Sequence, residues 1–132
     1  FRRVLFRSMD SDFHFVPMND VLFDLQRKII LDAAEKEDCV IVGRCANHIL
    51  DNKCLSVFIH APFEYRVQTV IERTGREEKS AQKMVKKVDK ERRTYYEYFT
   101  DKKWKDISQY HLAFDSSKFE QDKIIQMIKM AL

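Results

Sequence analysis

The chain has 132 residues, which is enough for one domain with its own core, and a hydrophobic fraction of 45% excludes a disordered tail. No apolar run approaches the ~20 residues of a membrane span, and with only two glycines, Gly43 and Gly75, the chain cannot form a glycine-rich phosphate loop. The net charge is only +3, yet residues 79–105 hold ten Lys or Arg against four Asp or Glu, which predicts one anion-facing surface on a nearly neutral protein.

The first eight residues show no capping, turn or strand pattern that connects them to the rest of the chain. They lack an initiator methionine, although Met9 stands directly behind them. We therefore expect residues 1–8 to be a non-native extension, translated from a sequencing adapter, and residues 9–132 to form a single α/β domain. An ordinary basic extension or a targeting peptide is the alternative.

A helix is predicted from Asn19 or Asp20, either of which can serve as its N-cap. Apolar residues then recur at the 3.6-residue spacing of one buried face. The residues of this predicted face are Leu22, Leu25, Ile29 and Ala33.

Three apolar runs predict strands, at residues 39–42, 55–60 and 112–114. The first two are rich in β-branched residues and are typical of strands buried on both faces of a parallel sheet. Helices alternate with these strands: one opens at Pro62, a longer one is capped by Ser80, and one closes the chain. This order predicts a parallel α/β sheet.

Ligands bind beyond the carboxyl ends of the strands in such sheets, which selects residues 43–45, 60–62 and 115–117. Gly43 permits a tight turn, and Arg44 offers a planar fork for phosphate or carboxylate. A surface arginine after an ordinary strand end is the alternative. For residues 115–117 we expect a cap of the last helix, formed by at least one of the two serines.

The helix from Ser80 carries a cationic candidate on its buried face. Arg92 lies four residues beyond Val88, so it points toward the interior and needs a partner. That partner is either a phosphate or a local carboxylate such as Asp89. Lys86, Lys87 and Arg93 are further candidates for phosphate contact, although most lysines of this helix are expected to form a solvated face.

Aromatic and basic residues interleave in residues 95–105. This pattern suits base stacking on single-stranded nucleic acid, but an aromatic stripe on a helix is more often core, and Trp104 could simply cover the end of the domain. Three scattered cysteines, Cys39, Cys45 and Cys54, form no CxxC pair and predict reduced cytoplasmic thiols without a disulfide framework or metal site.

Together these segments resemble the cytidylate kinase-like family of P-loop nucleoside monophosphate kinases. The matching segments are residues 39–46, residues 56–61 with Arg66 behind them, residues 88–96, and Thr100, Trp104, Tyr110 and residues 114–117. The resemblance implies a three-layer parallel α/β sheet of that kinase type, with a helical lid near residues 80–108. It covers the chain from about Asp20 and leaves out the first strand, the P-loop and the first helix of such a fold.

The resemblance also implies the reaction and its residues. Members transfer the γ-phosphoryl group of ATP to CMP or a similar nucleoside monophosphate, with Mg²⁺. Gly43 and Arg44 match the strand end that holds the monophosphate, while Cys45 replaces the family's aspartate for the nucleoside. Asp89 and Arg92 match the charged lid helix, for which a catalytic role is expected. His111 stands where an aspartate is expected.

Because phosphoryl transfer needs a cradle for the phosphates, and this sequence has no glycine-rich loop, we expect the chain as written to be inactive. The expected partners are a nucleoside monophosphate and ATP, without a membrane. Two alternatives stay open: a nucleotide-binding or regulatory module that lacks a P-loop, and a basic nucleic-acid-binding domain.

Overall fold

A computed structural model describes residues 4–6 and 19–132, the former as backbone only. Four parallel strands form its sheet: β1 (Val4–Phe6), β2 (Val40–Val42), β3 (Leu55–His60) and β4 (Leu112–Asp115). Five α-helices are α1 (Asp20–Lys36), α2 (Ala46–Leu50), α3 (Phe63–Thr74), α4 (Glu78–Thr100) and α5 (Gln121–Met130). Short 3-10 turns lie at Asp51–Lys53 and Ile107–Gln109.

The strands lie in the order β2-β1-β3-β4. Leu5 of β1 is in register with Ile41 of β2 on one side and with Ser56 of β3 on the other. Residues 1–8 therefore contribute a strand, Val4–Phe6, which pairs on both sides, and the expectation that the fold lacks a strand before α1 is wrong. The other residues of that segment lie outside the described residues, and its adapter origin stays a prediction.

Helices cover both faces of β3, as expected for a parallel α/β sheet. Alternate residues of a strand face opposite sides, and Leu55 and Val57 pack against Ile124 and Ile128 of α5. Phe58 faces the other way, toward the aromatic cluster of α4. At this strand the sheet thus lies between α5 on one face and the aromatic cluster of α4 on the other.

Helix α1 begins where predicted, since the Asn19 side chain caps it by accepting hydrogen bonds from two backbone amides. Its buried face was predicted wrongly. Ile30 and Ala34 are the buried residues, whereas Leu25 and Ile29 are 52% and 67% exposed. The apolar residues cover two adjoining faces of this helix, so the spacing alone could not select the face that packs against α2.

Strand β2 is less buried than its composition predicted. Val40 and Val42 are 62% and 47% exposed, because β2 is an edge strand of the described sheet and only Ile41 packs in the cluster formed with α1 and α2. Burial on both faces was therefore the wrong expectation for β2. It holds for β3, of which Leu55, Ser56 and Val57 are all buried.

Two predicted helix caps are corrected. The long helix begins at Glu78 rather than at Ser80, which lies inside its first turn. The last helix begins at Gln121, so residues 115–117 do not cap it. Instead the Asp115 carboxylate accepts hydrogen bonds from the backbone and hydroxyl of Ser117, at 2.9 and 2.6 Å, within a turn that comes after β4. These bonds hold the pKa of Asp115 below its usual value.

Within the described residues, no helix is both long enough and apolar enough to cross a membrane. Cys39, Cys45 and Cys54 form no disulfide with one another. The Cys54 thiol donates a hydrogen bond of 3.4 Å to the carbonyl oxygen of Asp51.

Candidate functional site

A cleft of about 370 Å³ opens beside the carboxyl end of β3, between the sheet, α3 and α4. This is one of the sheet positions that the strand-end rule selected, and its volume falls in the range of small-molecule sites. Its charged lining residues are Arg66, Asp89, Arg92 and Lys105, and His60 lines it as well. The cleft therefore presents several cations and one carboxylate to a ligand.

Arg66 and Asp89 form an ion pair in this cleft. Arg66 Nη1 donates to Asp89 Oδ2 at 2.7 Å, and the two side chains are 17% and 20% exposed. Arg66 Nε also donates to the carbonyl oxygen of Ala61, the residue directly after β3, at 3.0 Å. One guanidinium thus joins the end of β3 to the middle of α4.

Arg92 lies three residues beyond Asp89 on α4, a spacing that puts both side chains on the same helix face. Both line the cleft, and their catalytic role stays a prediction. Arg92 is partly buried. The Asp89 carboxylate, one of the two candidate partners for Arg92, is engaged by Arg66.

The other end of the cleft is aromatic. Phe58 lies 4.8 Å from Tyr110 and 6.1 Å from Trp104, measured between ring centroids. Trp104 is only 5% exposed, and Lys105 Nζ lies 5.6 Å from its ring centroid. The rings pack against one another and against Lys105, so they form a wall of the cleft rather than a free stacking platform.

A second candidate lies at the end of β2, where three successive residues have left-handed backbone conformations. The φ angles are 70° at Gly43, 58° at Arg44 and 57° at Cys45. Such angles cost a non-glycine residue about 1–2 kcal/mol, and strain of this kind clusters at functional sites. Two strained residues in succession make this turn, which leads into α2, unusual.

Arg44 and Cys45 point into the packing around α4. Arg44 is within hydrogen-bonding reach of Tyr95, whose pKa is raised by burial while Arg44 opposes the rise. Cys45 is 3% exposed, and burial raises the pKa of its thiol to about 12. The Cys45 side chain is therefore packed inside the aromatic cluster rather than exposed to a ligand.

Arg44 does not line the cleft that holds Arg92. The carboxyl ends of β2 and β3 are separated by β1, which puts them about 10 Å apart, since neighbouring strands are ~4.8 Å apart. Of the two arginines predicted to meet phosphate, Arg44 at a strand end and Arg92 on the lid helix, only Arg92 lines this cleft. The substrate-binding roles of Gly43, Arg44 and Cys45 stay predictions.

The remaining phosphate candidates lie on the outside of α4. Lys86, Lys87 and Arg93 are exposed and do not line the cleft. Lys86 Nζ lies 5.7 Å from the ring centroid of Phe63, and Lys87 approaches Glu91 at 4.0 Å. Their part in phosphate binding stays a prediction.

The aromatic residues proposed for base stacking are mostly core. Tyr95, Tyr96 and Trp104 are buried together with Cys45, whereas Tyr98 is 54% exposed. The alternative of aromatic stacking on single-stranded nucleic acid therefore has little exposed ring surface to use.

Sequence reasoning included His60 only as part of the strand end at residues 60–62, and it did not single out Arg66 as a site residue. Arg66 enters it only through the family resemblance, yet one signal is available: it lies in the first turn of α3, six residues beyond the end of β3. A long cationic side chain at that position can reach back to the strand end. Its carboxylate partner, 23 residues farther along the chain, could not be identified from spacing.

The sequence profile of the cytidylate kinase-like family matches residues 2–118. The chain is 30% identical over 117 residues to a cytidylate kinase of Methanococcoides burtonii, an alignment that covers 88% of this chain and 65% of that protein. It is 26% identical over 111 residues to a cytidylate kinase of Methanopyrus kandleri, with 76% of this chain and 58% of that protein covered. The chain thus spans between about half and two-thirds of the length of these relatives.

A solved structure shows the same fold. The crystal structure of an uncharacterized protein from Eubacterium ventriosum superposes with a TM-score of 0.73 at 30% sequence identity. The match covers 96% of this chain and 84% of that one.

Proposed function

The chain belongs to the cytidylate kinase-like family, and we propose that its cleft takes part in phosphoryl transfer from ATP to CMP or a similar nucleoside monophosphate. The single observation that carries this proposal is the cleft beside the end of β3, into which Arg66, Asp89 and Arg92 project. Arginine forks match phosphate oxygens in geometry and in charge. Here they stand at the sheet edge where α/β proteins bind ligands.

The proposed reaction depends on positive charge around the transferred phosphoryl group and needs no covalent bond to a protein side chain. An oxygen of the acceptor phosphate forms a bond to the γ-phosphorus of ATP as the bond from that phosphorus to the β,γ-bridging oxygen breaks, giving ADP and a nucleoside diphosphate. Charge on the transferred group is stabilised by cations that are already in place. Arg92 would supply one, and Arg44 at the end of β2 a second.

Mg²⁺ is expected with ATP in this family. Among the residues that the structure describes, no group of three His, Cys, Asp or Glu is arranged to hold a metal ion, and Asp89 in the cleft is engaged by Arg66. Mg²⁺ is usually held by phosphates and only one or two carboxylates. Mg²⁺ would then be held chiefly by the nucleotide phosphates, and no step is assigned to the metal in this chain.

The chain should bind a nucleoside monophosphate and turn over little or no ATP, because its sequence has no glycine-rich loop. Trp104 is the one tryptophan of the chain and lines the cleft, so its fluorescence reports on occupancy. We expect CMP to change the fluorescence emission with a saturable dependence on its concentration. Cytidine should bind at least tenfold more weakly than CMP, and each tenfold corresponds to about 1.4 kcal/mol of binding free energy. Arg92→Gln should remove this difference in affinity between CMP and cytidine.

Lys90→Gln is the matched control, since Lys90 is an exposed cation on the same helix that does not line the cleft. Equal binding of CMP and cytidine by the wild-type chain would contradict a phosphate-binding role for the cleft. Appreciable ATP consumption with CMP would contradict the expectation that this chain is inactive, and would favour kinase activity over a binding module.

A further inference from the structure

The middle of α4 differs from its two ends. Residues 86–94, all of which the structure describes, include no buried side chain. The preceding part buries Ala81 and Val85 against α3, and the following part buries Tyr95 and Tyr96 in the aromatic cluster. The stretch that carries Asp89 and Arg92 therefore spans a gap between two apolar anchors.

The Arg66–Asp89 ion pair lies in that gap. The Arg66 guanidinium is fixed twice, by its 3.0 Å bond to the Ala61 carbonyl and by its 2.7 Å bond to the Asp89 carboxylate. Its partial burial limits screening by solvent, which makes this link stronger than an exposed ion pair. The position of Asp89 relative to the end of β3 is thus set by one side chain.

We infer that Arg66 is a positioning residue that holds the middle of α4 against the end of β3 and so directs Arg92 into the cleft. Because Asp89 and Arg92 share one helix face, fixing the first fixes the rotation of the second about the helix axis. The identity of the ligand that Arg92 contacts is taken from the proposed function, and to that extent the inference rests on it. The anchoring of α4 itself is independent of any ligand.

The alternative role for Arg66 is direct contact with a ligand phosphate. The two roles predict opposite effects of an Asp89 substitution on ligand binding. If Asp89 only competed with phosphate for Arg66, Asp89→Asn would free the guanidinium and tighten binding. If Asp89 transmits the anchor to α4, the same substitution loosens the helix and weakens binding.

The first test is made without ligand, by amide hydrogen exchange of the full chain. In Arg66→Gln and Asp89→Asn, we expect the amides of residues 86–94 to exchange about tenfold faster, while residues 81–85 and 95–100 stay within about twofold of the wild type. Asp32→Asn is the matched control. This substitution removes the 2.9 Å ion pair between Asp32 and Lys36, whose side chains are 63% and 71% exposed. It should leave the amide exchange of α4 unchanged.

The second test is the CMP titration followed by Trp104 fluorescence. We expect Asp89→Asn and Arg66→Lys to weaken CMP binding by about tenfold each, with the double variant no weaker than either single one, because both break the same link. In an Arg92→Gln background, Arg66→Lys should have no further effect on CMP, and cytidine binding should be the same in all variants.

Unchanged exchange of residues 86–94 in both single variants would overturn the inference, whatever the CMP result. Tighter CMP binding by Asp89→Asn would overturn it in favour of direct phosphate contact. Absence of CMP binding by the wild-type chain would refute the proposed function instead, and the exchange measurement would still decide whether Arg66 anchors α4.

Discussion

The side-chain amide of Asn47 donates a hydrogen bond of 3.0 Å to the hydroxyl of Tyr96, which joins α2 to α4. The same hydroxyl donates to Gln109 Oε1 at 2.7 Å, in the turn before β4. Tyr96 is 6% exposed, so this network links three segments in the interior of the domain. Because α2 comes directly after the strained turn at Arg44, the network also fixes that turn relative to α4.

Tyr96→Phe should destabilise the domain by about 1–3 kcal/mol, since it removes a buried donor and acceptor and leaves two amide groups without this partner. Tyr98→Phe is the control, because Tyr98 is 54% exposed and its change should stay within about 0.5 kcal/mol. Urea unfolding at neutral pH measures both. Equal destabilisation by the two variants would contradict a structural role for the Asn47–Tyr96–Gln109 network.

Arg44 should show its backbone strain when its side chain is removed. Arg44→Gly and Arg44→Ala lose the same guanidinium, but only glycine adopts a φ of 58° without a Cβ penalty. The glycine variant should be more stable than the alanine variant by about 1 kcal/mol.

Lys28, an exposed residue inside α1, provides a control for which the stability difference between the glycine and alanine variants should have the opposite sign. There the glycine variant should be less stable than the alanine variant by about 1 kcal/mol, because glycine is a poor helix former. Alanine more stable than glycine at both positions, by urea unfolding, would refute strain at Arg44.

The cysteine thiols should differ sharply in reactivity. The Cys45 thiol, with burial raising its pKa to about 12, is protonated at pH 8, and only the thiolate reacts with disulfide reagents. Cys39 is partly exposed, so it should react first in the folded chain, and Cys45 only after unfolding. Mass spectrometry of protein alkylated at pH 8, with and without urea, identifies the modified positions. Rapid labelling of Cys45 in the folded chain would contradict its burial.

The same thiol should make the fold sensitive to alkali. Its folded pKa of about 12 lies above the reference value of 9.0, so the unfolded state loses the proton first as pH rises. The contribution of Cys45 to stability is therefore complete below pH 9 and declines between about pH 9 and 12. The loss of stability between pH 8 and pH 10 should be smaller in Cys45→Ala than in the wild type. An identical decline in both proteins would show that ionisation of this thiol does not limit alkaline stability.

His111 has a structural role that an aspartate or asparagine could also fill. Its Nδ1 accepts a hydrogen bond of 2.9 Å from the backbone N–H of Ser56, a residue that is 3% exposed. His111→Ala should cost about 1–3 kcal/mol because the buried amide loses its acceptor. His111→Asn, which keeps an acceptor oxygen near the same position, should recover most of that loss. Equal urea midpoints for the alanine and asparagine variants would refute this role.

Local patterns predicted the central elements of the fold because they need no knowledge of distant partners. The run of residues 55–60, which is mostly apolar, forms β3 at those bounds. A helix, α3, begins directly after Pro62, as predicted, and buries Val67 and Val70. The Asn19 side chain caps α1 because the acceptor and the amides it needs are two and three residues apart.

Sequence patterns failed to predict the structure where two local arrangements were equally compatible with the same residues. Helix α1 has apolar residues on adjoining faces, and contacts with α2 select the one that contains Ile30 and Ala34. Strand β1 is only three residues long, and pairing with β2 and β3 on both sides, rather than its composition, makes it a strand.

The sequence by itself determined that this chain is a parallel α/β protein of the cytidylate kinase-like family with cations concentrated on one long helix, because composition, periodicity and ordered segments are properties of neighbouring residues. Only the tertiary structure decided which cations face the cleft. It put Arg92 and Arg66 there, left Lys86 and Arg93 in solvent, and buried Cys45. The physical reason is that the direction of a helical side chain depends on how the helix packs, and the packing of α4 depends on residues more than 20 positions away, such as Arg66 opposite Asp89.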